Sequence, residues 1–114
     1  MQKIKDLLPK EVVSGIKGYY ALGNNLSFGY IVIKAGAVVP EHHHVHEQIT
    51  YLIEGELDMT IGGELCPLKA GMYHIIPSHT LHSAIANVDC IAIDVFSPVR
   101  EDYKPPDIPV GWIK

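Results

Sequence analysis

Seven of the 114 residues are histidines, and four of them (His42, His43, His44 and His46) fall within five positions. Successive side chains of an extended chain point to opposite faces, so His42 and His44 share a side. Two neutral imidazoles at that spacing can hold one metal ion, and a nitrogen and oxygen donor set suits divalent first-row metals. Gln48 and His82 are candidates to complete the shell. His43 has the opposite parity and faces away, while His46 belongs to the connection that follows. His74 reads as a hydrogen-bonded structural residue within a strand and His79 as a surface residue in a turn. The competing account is a solvated loop or a tag remnant. A tag fits poorly, because the cluster is internal and is not a run of six.

A second chemical feature is the stretch Cys-Ile-Ala-Ile-Asp-Val-Phe, residues 90 to 96. In a strand, Cys90, Ala92, Asp94 and Phe96 share one face, and Ile91, Ile93 and Val95 share the other. A carboxylate among apolar neighbours is costly to bury unless it is paired or working. Asp94 therefore faces either solvent or a cavity. The aliphatic opposite face must also be covered, which favours the cavity. Arg100 follows just after Pro98 and can reach back over the mouth of such a cavity, although an exposed position is the commoner fate of an Arg. Phe96 is of the type that more often packs a core than walls a substrate.

The elements that must position these groups are short strands. The length suits one domain, expected over residues 1–114. Hydrophobic residues make up 47% and charged residues 19%, which excludes a disordered chain. The formal net charge of −4 argues against nucleic acid as a partner. Ten Gly and eight Pro imply many turns and an all-β fold rather than a helical bundle. Strands are expected at 26–34, 48–53, 56–61, 64–68, 72–76, 80–86 and 90–96, with Gly62-Gly63 as a hairpin turn and Pro67 ending its strand. The first fifteen residues have room for one short helix. The Pro-rich tail, 97–114, should run extended and dock Trp112. The first ten residues are not expected to be a signal peptide, no 18-residue apolar run is present, and two cysteines, Cys66 and Cys90, make no disulfide framework. The expectation is a cytoplasmic protein with reduced thiols and no membrane partner.

The spacing of these residues resembles the cupins. Their first motif is matched by Gly36, His42, His44, Gln48 and Gly55, with Gln48 in place of Glu, over 36–55. Their second is matched by Gly71, Pro77 and His82 over 71–87, with His79 in place of Gly and Asn87 one position late. The resemblance implies a double-stranded β-helix, or jelly-roll barrel, with one divalent metal ion (Zn, Ni, Mn or Fe) held by His42, His44, Gln48 and His82. A neutral Gln leaves such an ion a stronger Lewis acid and more weakly bound than the Glu version. Cupin barrels line their cavity from strands such as 90–96, which places Asp94 inside.

The stretch from Asp94 to Tyr103 and the pattern from His42 to Gln48 further resemble the pectin-degradation cupins, which convert 4,5-unsaturated monouronates to linear ketonised sugars. That likeness implies catalytic roles for Asp94, Phe96 and Arg100. Asp94 would move the proton, Arg100 would bind the substrate carboxylate, bidentately where geometry allows, and Phe96 would pack on the sugar. The implied partners are a small sugar acid and a second copy of the chain in a homodimer. The alternatives are another metal-dependent cupin enzyme, such as an iron dioxygenase, and a non-catalytic sugar-binding cupin.

Overall fold

The computed structural model describes residues 1–103, and the expected docking of Trp112 by the proline-rich tail lies outside them. Ten strands run in chain order: β1 (Lys10–Val13), β2 (Ile16–Leu22), β3 (Ser27–Ile33), β4 (Val38–His42), β5 (Glu47–Glu54), β6 (Glu56–Ile61), β7 (Glu64–Lys69), β8 (Tyr73–Ile76), β9 (His82–Ala86) and β10 (Cys90–Ser97). They form a six-stranded sheet, ordered β1-β2-β3-β10-β5-β8, and a four-stranded sheet, ordered β4-β9-β6-β7, antiparallel throughout. No α-helix occurs among the described residues. This is the jelly-roll architecture that the motif spacing implies.

The larger sheet follows period two closely. In β2, Ile16, Gly18, Tyr20 and Leu22 point inward, and in β3 Ser27, Gly29, Ile31 and Ile33 do so. In β5, Gln48, Thr50 and Leu52 are buried, while Ile49, Tyr51 and Ile53 are exposed. Apolar side chains from both sheets fill the interior, with Leu52, Leu68 and Ile76 among the most completely buried. Antiparallel register then sets the inner face in rows. One row runs Tyr20, Gly29, Asp94, Thr50, His74, and the adjacent row runs Leu22, Ser27, Phe96, Gln48, Ile76. In the smaller sheet His42 and His82 are cross-strand partners.

Tyr20 explains why two strand interiors carry glycine. Its ring lies over Gly18 and Gly29, and a methyl group at either position would collide with it. The hairpin expected at Gly62-Gly63 joins β6 to β7, with φ 57° and 81°, both in the left-handed region that such a two-residue turn needs.

Three expectations about the elements need correction. The N-terminal segment holds no α-helix: a three-residue 3-10 turn at Ile4–Asp6 leads into β1, which pairs with β2. Pairing with a preformed edge outweighs the weak helical preference of so short a segment. Pro67 lies within β7 and does not stop it, because β7 is an edge strand where a missing N–H is tolerated. The turn at Gly55 carries the chain from one sheet to the other. Strands β1, β2 and β4 were not among the expected seven.

Candidate metal centre

His42 closes β4, and His82 opens β9 directly opposite it, so the two rings stand 4.2 Å apart. His44 lies two residues past β4, in the link to β5, and its ring is 4.9 Å from that of His82. Each of the three histidines offers one ring nitrogen, and these atoms lie within 4.8 Å of one another. Gln48 enters from the other sheet, on β5, beneath the same cavity.

The protonation pattern of these rings is set by the main chain. Nδ1 lies 2.8 Å from the Pro40 carbonyl in His42, 2.9 Å from the His46 carbonyl in His44, and 2.8 Å from the Thr80 carbonyl in His82. A carbonyl can only accept, so each Nδ1 carries the hydrogen and each neutral ring keeps its lone pair on Nε2. Burial, aided by the Arg100 charge, pulls His44 down to about 4. Burial and then the neighbouring His42 lower His82. Both rings are therefore neutral near pH 7.

The Gln48 amide is held just as firmly. Its Nε2 donates to Thr50 Oγ1 at 2.9 Å, which turns Oε1 to within 3.2 Å of His44 Nε2. Two acceptors thus face each other across a short gap, and His82 Nε2 is buried without a partner among the described residues. Lone pairs so arranged repel unless a cation lies among them. Main-chain carbonyls that orient ring nitrogens are the usual support of metal-binding histidines. The residues present fit a divalent first-row ion.

Asp94 projects into the cavity from β10, in the row that contains Thr50. Thr50 Oγ1 donates to its Oδ1 at 2.7 Å. Burial pushes the Asp94 carboxyl up to about 6, against the opposing pull of the Thr50 and Gln48 hydrogen bonds and of Arg100. Phe96 is buried in the cavity lining, with its ring 5.9 Å from His44 and 5.8 Å from Tyr103.

Arg100 is buried, with only 7% of its surface exposed. Its backbone N–H donates to the buried Ser27 hydroxyl at 3.0 Å, which pins the segment after β10 to β3. Its Nε and Nη2 donate to Asp102 at 3.0 and 2.7 Å, and its guanidinium stacks 3.9 Å from the Tyr103 ring centre. Lys10 Nζ donates to the Asp102 carbonyl at 2.7 Å and ties this segment to β1. The Nε–Nη2 edge of Arg100 is therefore taken by Asp102, so a two-pronged grip on a ligand has only the Nη1–Nη2 edge left. On that edge Nη1 is buried and without a partner among the described residues. The Arg100 hydrogen bond holds the Asp102 carboxyl below its usual range.

The other histidines divide clearly. His43 is exposed, and His46 is half-buried, with its carbonyl supporting His44. His74 is half-buried at the end of its row and has no side-chain hydrogen bond among the described residues, contrary to expectation. Its β8 position is at the sheet edge, where solvent can satisfy it. His79 is exposed and takes φ 62° where the cupin motif has glycine, and its N–H donates to the His44 carbonyl at 2.7 Å. Asn87 donates to Asp58 and takes no part in the cavity lining.

Three cavity residues escaped the reading of the sequence, Thr50, Tyr20 and Tyr103, as did Asp102, which holds Arg100 from outside the cavity lining. Thr50 shares the parity of Gln48 within one strand, and glycine in mid-strand at 29 signals a bulky neighbour. Burial of Tyr20 and Tyr103 keeps both phenols protonated.

A jelly roll with three imidazoles and an amide converging between its sheets defines a small cupin barrel. The cupin domain family matches residues 29–96, and the chain belongs to that family. Among individual proteins, it is 33% identical over 70 residues to the pectin degradation protein KdgF of Dickeya dadantii, covering 60% of this chain and 64% of that protein. The chain thus spans just under two thirds of that curated relative. The solved structure of KdgF from a Halomonas species superposes with a TM-score of 0.80 at 33% identity, covering 86% of this chain and 92% of that one. An RmlC-like cupin from Shewanella frigidimarina superposes with a TM-score of 0.85 at 30% identity, covering 91% and 95%.

Proposed function

We propose that this protein is a metal-dependent single-domain cupin that converts 4,5-unsaturated uronates to their linear ketonised forms. The observation that carries the reading is one site in which the His42, His44 and His82 ring nitrogens and the Gln48 amide oxygen gather beside a cavity that also holds the Asp94 carboxyl group and the buried Arg100, whose Nη1 has no partner among the described residues. The likeness to the two KdgF proteins supports the same reading.

The substrate is a cyclic enol ether bearing a carboxylate. Breaking its ring C–O bond, with loss of the C1 hydroxyl proton, leaves an aldehyde at C1 and an enol at C5. Placing a proton on C4 and removing one from the enol oxygen then gives the ketone, with no net change in atoms. A divalent ion held by His42, His44, Gln48 and His82 supplies Lewis acidity to the oxygens where charge develops. Arg100 holds the substrate carboxylate through Nη1, a charge-assisted bond in a water-poor site. Asp94, across the cavity, carries the proton. Phe96 and Tyr103 wall the ring of the sugar and exclude water.

The test is incubation of the metal-loaded protein with an unsaturated galacturonate, followed by NMR. Loss of the vinyl C4 proton faster than without protein is expected. A metal-loaded protein that leaves this rate unchanged would remove the reading, and turnover that requires oxygen would point to a dioxygenase.

We also propose a homodimer through the outer face of the larger sheet, and a reduced, cytoplasmic setting that suits the free Cys66 and Cys90. Two apolar rows cross that face: Phe28, Val95, Ile49, Ile75 and Tyr19, Tyr30, Ile93, Tyr51, Tyr73. None of these nine side chains is charged, and Tyr73 and Ile75 are more than half exposed, so a matching apolar face of a second copy is the occupant that suits it.

A further inference from the structure

Thr50 is 2% exposed and belongs neither to the imidazole cluster nor to the groups that face the substrate. It stands directly opposite Asp94 in the β5–β10 ladder and two residues from Gln48 on the same face of β5. Its hydroxyl has one proton to give. That proton goes to Asp94 Oδ1 at 2.7 Å, and the oxygen in turn accepts from Gln48 Nε2 at 2.9 Å. The chain of donors therefore has one direction, set by an acceptor at its far end.

We propose that Thr50 is a positioning residue that orients the Gln48 amide for metal binding, a proposal that rests on the metal reading above. An amide can present either its oxygen or its NH2 to the imidazole Nε2 atoms, and only the oxygen can be a ligand. A flipped Gln48 would donate to His44 Nε2 and close the site against a cation. The flip is blocked because the Thr50 hydroxyl, committed to Asp94, has no second proton to offer a Gln48 oxygen. A glutamate at position 48 would present an oxygen either way and would need no such device. The relay thus accompanies the departure from the cupin motif at Gln48, and it ends on Asp94, the residue assigned to proton transfer.

The experiment measures the affinity of the purified full chain for Zn²⁺ and Ni²⁺ by competition with a chromophoric chelator. The proteins compared are wild type, Thr50→Val, Thr50→Ser, Gln48→Glu and the Gln48→Glu/Thr50→Val double variant. Thr50→Val keeps the shape and loses the hydroxyl, and its affinity should fall by about 10- to 100-fold. Thr50→Ser should bind within about threefold of wild type. In the Gln48→Glu background the Val substitution should cost less than about threefold, a coupling that a merely structural role would not produce. Equal affinity of Thr50→Val and wild type, or the same loss in both backgrounds, overturns the proposal. If Thr50→Val does not fold, Thr50→Ala takes its place in both backgrounds. Failure of the wild type to bind either ion removes the metal reading itself and is distinct from both outcomes.

Discussion

Asp102 grips the guanidinium of Arg100 with both oxygens, and the pair leaves Nη1 of Arg100, a residue of the cavity lining, buried without a partner among the described residues. The arginine is thereby held by its own chain before any ligand arrives. Such preorganisation lowers the ordering cost of binding. Because Asp102 is largely exposed, the pair contributes more to placement than to stability.

Replacing Asp102 by Asn should therefore be felt in substrate binding. The KM for an unsaturated uronate should rise about tenfold, with kcat changed by less than about threefold. Arg100→Lys should do worse in both, since an ammonium cannot reproduce a stacked and forked guanidinium. Steady-state kinetics on the three proteins decides this. An unchanged KM in Asp102→Asn would show that the clamp does not matter.

Asp94→Asn should lower ketonisation by about 10² to 10⁴ while metal stays bound. Its stability effect has a definite sign. The folded carboxyl is pushed up to about 6, above its unfolded value, because burial disfavours the charged form. The stability that Asp94 confers is complete below the unfolded value and is lost as pH rises through about 6. The Asn variant escapes that loss. Its metal-free form should melt above the wild type at pH 7.5, and the gap should close by pH 4. A gap independent of pH, measured by calorimetry, would contradict the assignment.

Metal removal should lower the melting temperature, since only the folded chain brings the three imidazoles together. At an ion concentration about 100 times the dissociation constant, the gain on binding is about 2.7 kcal/mol. Titrating Zn²⁺ or Ni²⁺ into chelator-treated protein should restore the loss. His82→Ala should show no shift with either ion, whereas His43→Ala should behave as wild type.

The outer face of the larger sheet makes a separate prediction. Ile93 lies mid-row on β10, flanked by Tyr30 and Tyr51. Ile93→Glu should convert a dimer to a monomer in light scattering without loss of metal binding. A wild type that is already monomeric at micromolar concentrations would refute the pairing.

Much of the site could be read from local pattern. The burial of Cys90, Ala92 and Phe96 on one face of β10 follows from the two-residue period of extended chain, and His42, His44 and Gln48 stand at the spacing of the cupin motif. The hairpin at Gly62-Gly63 is legible for the same kind of reason, since few residues accept the backbone that it requires. Strand β2 was missed although its pattern alternates cleanly. Its inner positions are Ile, Gly, Tyr and Leu, and the glycine there makes sense only once Tyr20 is known to lie across it.

The sequence by itself determined which side chains of a strand share a face, and the resemblance of its spacing to the cupin motifs implied the donor set of three imidazoles and an amide. The tertiary structure alone decided which faces meet. Antiparallel register brings Thr50 against Asp94 across 44 residues and His82 against His42 across 40, and the fold turns Arg100 inward onto Asp102. The physical reason is that period two is a property of one strand. Pairing between strands depends instead on how the whole chain closes its two sheets around a common core.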